Sequence, residues 1–243
     1  MSPVPKKKVR VNARVLYIFA LPAALVFLIV LILGVALWWP IALLSLPLAA
    51  LVVWLMWSRS DQAVLSSLSA RGLGQTEGQR VLNTVESLSL SSGIAQPGVM
   101  AIDDPACNIA VVSGRQDTIV VTTGLLETLD LMEMEGVIAH VLTKIAAGRT
   151  RYPTLAASAK PFITSAQIKQ AGKWGSDVGG IESFDISGVG LTRYPPGLLS
   201  ALIRIDGRST DIAGGDSLGD AWFVPPSSHG SQLGNRIEVL QEL

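Results

Sequence analysis

The chain has 243 residues but only one cysteine, no formal net charge and few aromatic residues. A lone Cys107 excludes an internal disulfide and agrees with a reducing compartment. Zero net charge and a pI near 6.7 give no electrostatic case for binding nucleic acid. Charge is also missing locally: from Val15 to Trp57, about 43 residues, no residue is charged. That run exceeds one membrane span and fits two of about 20 residues each. Because no charged group interrupts it, it carries no sign of a transport pathway and reads as an anchor.

The apolar residues that are present, 49% of the chain, concentrate in that run. The stretch GVALWWP, Gly34–Pro40, divides it with a glycine, paired tryptophans suited to the headgroup level, and a proline. The expected segments are Val15–Leu33 and Ile41–Trp57, a transmembrane hairpin. A cleaved signal peptide fits less well, since its apolar core is only about 7–15 residues long. Lys6, Lys7, Lys8, Arg10 and Arg14 precede the first span and place the N-terminus in the cytoplasm. A two-span hairpin returns the chain to the same side, so the remainder is expected to be cytoplasmic at a plasma (inner) membrane. The domain reading is a basic tail (1–14), a hairpin (15–57) and one domain (58–243).

In that domain the pattern predicts a helix over Glu77–Ser91, with a T-x-x-Q capping box at Thr76 and Gln79. Val81, Leu82, Val85 and Leu88 form its apolar face. Three short strands follow at Val99–Ile102, Ile109–Val112 and Thr118–Thr122, each bounded by turn-forming residues. Composition over 148–180 turns to Gly, Ser, Ala and Lys and predicts a mobile loop with a short helix near Phe162–Ala171. A helix is expected over Pro196–Ile205 and a last one over Leu233–Leu243. Between them, 207–220 reads as a solvated loop. Its Asp211, Asp216 and Asp220 lack the spacing of a calcium loop.

The helix after the strands carries the question of function. Asp130 and Glu133 make a capping box, and Met134, Val137, Ile138, Val141, Leu142 and Ile145 form one apolar stripe. His140 and Lys144 lie one turn apart on its flank. By residue type and spacing alone, a histidine so placed on a core-facing helix is more often a hydrogen-bonded structural residue than a metal ligand.

In their order, these pieces resemble the HtpX-type membrane zinc metallopeptidases, gluzincins related to the CaaX prenyl proteases. Pro97–Asp130 is similar to the family's D-x-P-x-x-N-A and T-x-G-L-L block. MEMEGVIAHVLTK is similar to E-x-x-x-V-[IL]-A-H-E-x-x-H. Ile181–Ile205 and Ser227–Leu243 are similar to the later E-x-x-A-D and H-P blocks. The resemblance implies an α+β fold: a two-helix transmembrane hairpin followed by a gluzincin-like domain with a small sheet packed on helices.

It also implies a zinc site of two helix histidines, a later glutamate ligand and a glutamate base. Carried over, only His140 is retained. The base position is Val141, which cannot take a proton. The second ligand is Lys144, a cation at its ordinary pKa of about 10.4, and the third is Ile181. Asp185 is retained, and Glu182 lies one place off the third ligand, about 100° around a helix. HtpX has two further spans after the metal helix, whereas 148–180 contains no apolar run of that length.

The resulting expectation is a catalytically inactive homologue, a pseudoprotease acting as a structural or regulatory binding subunit beside other membrane proteins in a bilayer. No cofactor, metal, nucleic acid or small-molecule substrate is expected. The family's substrate-binding edge strand corresponds to Asn108, Ile109, Ala110, Val111 and Val112, which could equally be an ordinary core strand. The alternative is a residual zinc endopeptidase with an atypical ligand set of His140, Glu182 and His229. A third reading pairs Cys107 with His140 in a different enzyme, against the usual inertness of a buried cysteine.

Overall fold

A computed structural model describes residues 13–37, 43–176, 180–225 and 231–243. The turn at Trp38–Pro40, most of the basic tail, and His229 lie outside the described residues. Helix α1, Ala13–Leu37, is long and apolar enough to cross a membrane, with Leu16–Ala36 as its candidate span. Leu21, Leu25, Leu28 and Ile32 are exposed on it. Its expected partner segment, Ile41–Trp57, is realised as the shorter α2, Ser45–Ser58, packed against α1. Fourteen residues rise about 21 Å, short of a bilayer core of about 30 Å, so α1 is the one helix of spanning length among the described residues. Helix α3, Ser60–Ser67, continues beyond Arg59.

The domain is built around a mixed four-stranded sheet in the order β1-β2-β4-β3. Its strands are β1 (Arg71–Gly72), β2 (Gly98–Ile102), β3 (Ile109–Val112) and β4 (Thr118–Thr122). β2 runs parallel to β4, and β1 and β3 are antiparallel to their neighbours. Three of these strands fall where the apolar runs and turn residues predict them. Both sheet faces are covered, which explains why the strands are apolar throughout. Ile109, Val111, Ile119 and Val121 point to one core, and Ala110, Val112 and Val120 to the other.

The first core lies under α4 (Gln75–Ser92), α6 (Leu131–Ala147) and α10 (Pro195–Ile205), with α11 (Ser231–Gln241) at its margin. α4 starts two residues before its predicted position. Gly74 is its N-cap, so Thr76 falls within the first turn instead of at the cap position. Leu82 is more than one-third exposed, leaving Val81, Val85 and Leu88 as the buried face. On α6 the predicted capping box is present: Asp130 accepts from Glu133 N–H, and the Glu133 carboxylate accepts from Asp130 N–H, both at 2.9 Å. Gly148 ends the helix in the left-handed region, φ 67°, where glycine carries no Cβ penalty.

Two stretches expected as loops carry regular structure. The described residues of 148–180 are largely helical, forming α7 (Arg151–Ser158), a 3-10 turn at Lys160–Phe162 and α8 (Ser165–Ser176), which overlaps the short helix expected near Phe162–Ala171. They are held by Leu155, Ala156, Ala159 and Ala171 packing on Ile18 and Phe19 of α1. Residues 207–220 are also ordered: Thr210, Ile212 and Leu218 are buried, and a 3-10 helix covers Gly215–Ala221. Short α5 (Thr123–Thr128) and α9 (Ile181–Thr192) complete the fold.

Candidate functional site

His140 and Lys144 project from α6 into a space closed by α9, α11 and the segment 220–224, so both are buried instead of flanking an open cleft. α9 reaches α6 closely because residue 188 is glycine. A Cβ there would lie 2.8 Å from His140 N and 3.0 Å from its Cα. This approach brings Asp185 to the imidazole, with Asp185 Oδ1 2.6 Å from His140 Nδ1. Arg236 of α11 forks onto the same carboxylate, donating Nε to Oδ2 at 2.7 Å and Nη2 to Oδ1 at 2.8 Å. Its Nη1 donates to Phe223 O at 3.0 Å. The Phe223 ring stands edge-on to His140 with centroids 4.8 Å apart, and the Arg236 guanidinium lies 4.3 Å from that ring's centroid.

The charges in this space sort by what each can pair with. Burial opposes ionisation of Asp185, but His140 and the two-pronged Arg236 contact hold its carboxyl well below the usual range. Burial pushes His140 down to about 3, and Asp185 offsets only part of that. The imidazole is therefore neutral at physiological pH. Its Nδ1–H donates to the ionised Asp185, which leaves the lone pair on Nε2. That atom is buried and has no hydrogen-bond partner among the described residues. A carboxylate on the far nitrogen is also how metal-binding histidines are oriented.

Lys144 departs from metal-site chemistry. Its Nζ donates to Asp220 O at 3.1 Å and to Trp222 O at 2.8 Å. Burial lowers its pKa to about 7, Arg236 adds to the shift, and Asp220 and Asp185 oppose it. Val141 belongs to the apolar core, and Ile181 begins α9 half-buried with no donor atom. Glu182 is half-buried beside it. No group of three or more His, Cys, Asp or Glu residues able to hold a metal exists among the described residues. One imidazole, a lysine engaged with carbonyls and an isoleucine do not fit the three-ligand zinc site of the resemblance.

The strand Asn108–Val112 is at the edge of the sheet order, but its outer side is occupied by the protein's own chain. Ala110 bridges Trp222, and Phe223 N–H donates to Ile109 O at 2.7 Å. Asn108 Nδ2 donates to Thr210 O and Val224 O, while its Oδ1 accepts from Val224 N–H. That segment pairs along Ile109 and Ala110, on the side where a peptide strand would add. Cys107 is buried, and its sulfur lies near Gly124 O and Thr128 Oγ1, contacts that give no support to a pairing with His140.

Arg236 and the strap 220–224 are the parts that residue patterns alone did not assign. Arg236 had a signal: it sits on the apolar face that Leu233, Ile237 and Leu240 mark on α11, where a charge needs a buried partner. The strap had a weaker one, the apolar run Ala221–Val224 after a polar stretch.

Comparison with known proteins agrees with this architecture. The model of peptidase family M48 matches residues 75–212, from α4 through the start of the ordered 207–220 segment. A protease HtpX homolog of Tropheryma whipplei (strain Twist) is 30% identical over 207 residues, covering 69% of this chain and 70% of the relative. One from Listeria monocytogenes serotype 4a (strain HCC23) is 29% identical over 216 residues, covering 69% and 71%. One from Dictyoglomus thermophilum is 38% identical over 104 residues, covering 42% and 34%. No solved structure matches. A family match over more than half of the chain and a relative covering more than two thirds of it lead to one assignment: the chain belongs to peptidase family M48.

Proposed function

We propose that this protein is a membrane-anchored member of the family that has given up zinc chemistry and works by binding, as a structural or regulatory subunit of a membrane protein complex. The observation that carries the reading is Lys144. At the position of the second histidine ligand it directs an ammonium to Asp220 O and Trp222 O. A donor engaged in this way has no lone pair for a metal while it is protonated. Val141, in the place of the general base, has no titratable group. The retained Asp185–His140–Arg236 cluster then serves packing, since buried charges persist in folds when they are paired.

The anchor is taken to be α1 paired with the apolar segment Ile41–Trp57, of which α2 is the described helix, in a two-span arrangement in a bacterial plasma membrane with the N-terminus and domain in the cytoplasm. The basic residues ahead of α1 favour that orientation.

A second reading has one observation in its favour, the unpartnered Nε2 of His140 with Asp185 behind Nδ1. On that reading the protein is a residual zinc endopeptidase drawing on His140, Glu182 and His229. The first reading accounts for more of the site, because it explains Lys144, Val141 and Ile181 together.

Affinity purification of the full chain from its native membrane in mild detergent tests the subunit role. The expected result is a second membrane polypeptide in fixed ratio to it. Recovery of the chain by itself would count against the role.

A further inference from the structure

The helical pair α7–α8 is attached at an unusual height on the membrane helix. Ile18 and Phe19, only a few residues into the candidate span Leu16–Ala36, are 0% and 1% exposed. They are covered by Leu155, Ala156 and Ala159 of the α7 region and by Ala171 of α8. Gln167 of α8 donates its Nε2 to Tyr17 O at 3.0 Å. Val53, Met56 and Trp57 near the end of α2 pack against the same cluster, so the two apolar helices present the same end to α7–α8. A contact at Tyr17–Phe19 lies within about 5 Å of the start of the apolar span. The headgroup layer itself is roughly 5–8 Å deep on each side of the bilayer. α7 and α8 also pack against the 215–221 3-10 helix, and α7 against α3, so only the side chains they leave exposed at this level lie at the height of that layer.

The side chains at this level suit it. Arg14 lies over the Tyr152 ring at 5.7 Å, and Arg151 over the Trp57 ring at 5.9 Å. Such aromatic and basic pairs are at home between hydrocarbon and water. Between α7 and α8 the chain turns through Lys160, Pro161 and Phe162. This turn is bracketed by Ala159 and Ile163, both packed into the cluster with Ile18 and Phe19. Phe162 is 53% exposed, and Lys160 and Pro161 are exposed beside it. An aromatic ring open to its surroundings at that height is costly in water and favourable in the bilayer interface. The lysine stem can lie along the same surface with its ammonium among phosphates.

We infer that the Lys160–Phe162 turn is a membrane-contacting surface, with Phe162 inserted into the phospholipid interface beside α1. The inference rests on α1 residing in a bilayer and is independent of whether zinc chemistry survives. It would give the domain a second attachment point and fix its tilt against the membrane.

Nitroxide labelling of the full chain in phosphatidylglycerol–phosphatidylethanolamine nanodiscs tests it. Labels are placed at Phe162→Cys and, as a second position, Lys160→Cys; Cys107 is buried and does not compete. Leu25→Cys on α1 gives the lipid reference and Leu90→Cys on α4 the water reference, both at exposed leucines. The expected result at position 162 is relaxation favouring dissolved oxygen over a water-soluble nickel complex, as at position 25, with position 160 nearer the water limit. Nickel-favoured relaxation at 162 equal to that at 90 would overturn the inference, as would shielding from both reagents, which would mean a protein neighbour. A water-like signal at position 25 would remove the membrane reading and this inference with it.

Discussion

Lys144 Nζ lies 2.8 Å from Trp222 O, joining the helix that carries the family's metal ligands to a strap 78 residues further along the chain. The strap in turn occupies the open side of β3 through Trp222 and Phe223. Lys144 and β3 thus share one neighbour, the strap that closes over both.

The lysine should leave a mark on stability. Its pKa falls from 10.5 to about 7 on folding, mainly by burial, so the unfolded chain holds a proton that the fold releases between those values. Folding stability from this group therefore rises with pH across about 7 to 10.5, and its penalty is complete below about 7. In Lys144→Met that rise should be absent. The substitution also strips a donor from two carbonyls, at about 1–3 kcal/mol for a buried unpaired group. The readout is accordingly the pH slope of the thermal midpoint in detergent, compared with the parent chain. An unchanged slope would contradict the placement of Lys144.

Asp185 is the counterion of Arg236, and both are buried. Asp185→Asn keeps the shape but leaves a buried guanidinium without its counter-charge, which should cost about 3–5 kcal/mol. Chemical unfolding in detergent measures this, and a loss below about 1 kcal/mol would show that the cluster is not a paired unit. Acid should have a related effect on the parent. The depressed Asp185 carboxyl contributes stability above its unfolded value of 3.8, lost as pH falls through its folded value. His140, moved from 6.5 to about 3, adds a loss over that interval because the unfolded chain takes up the proton first.

Much of this fold could be read from residue pattern. The strands β2, β3 and β4 are short apolar runs between turn residues, and the Asp130–Glu133 box marks the start of α6. The α7–α8 region was legible only as a short helix near Phe162–Ala171, overlapping α8, and α7 was missed for a physical reason. Most of the buried positions are small residues, Thr154, Ala156, Ala159 and Ala171, which carry little periodic hydrophobic signal. Their main partner is also remote in sequence, at Ile18 and Phe19. The 207–220 segment is fixed largely by backbone groups: Cys107 N–H donates to Ser209 O, Asn108 to Thr210 O, and the Trp222 indole to Gly215 O. Polar composition gives no sign of such bonds.

The site divides in the same way. That Lys144, Val141 and Ile181 stand where the resemblance expects the second ligand, the base and the third ligand was visible position by position. That Lys144 would be buried and bonded to a strap was not visible, because the strap lies 76 to 78 residues away and contributes only carbonyl oxygens.

Zinc stoichiometry is the most direct measure of the central claim. The full chain, purified in detergent without chelators and with zinc supplied during growth, is assayed for metal beside His140→Ala. A zinc content far below one per chain and unchanged by His140→Ala is predicted. One zinc per chain, lost in His140→Ala, would contradict the account and favour the residual endopeptidase.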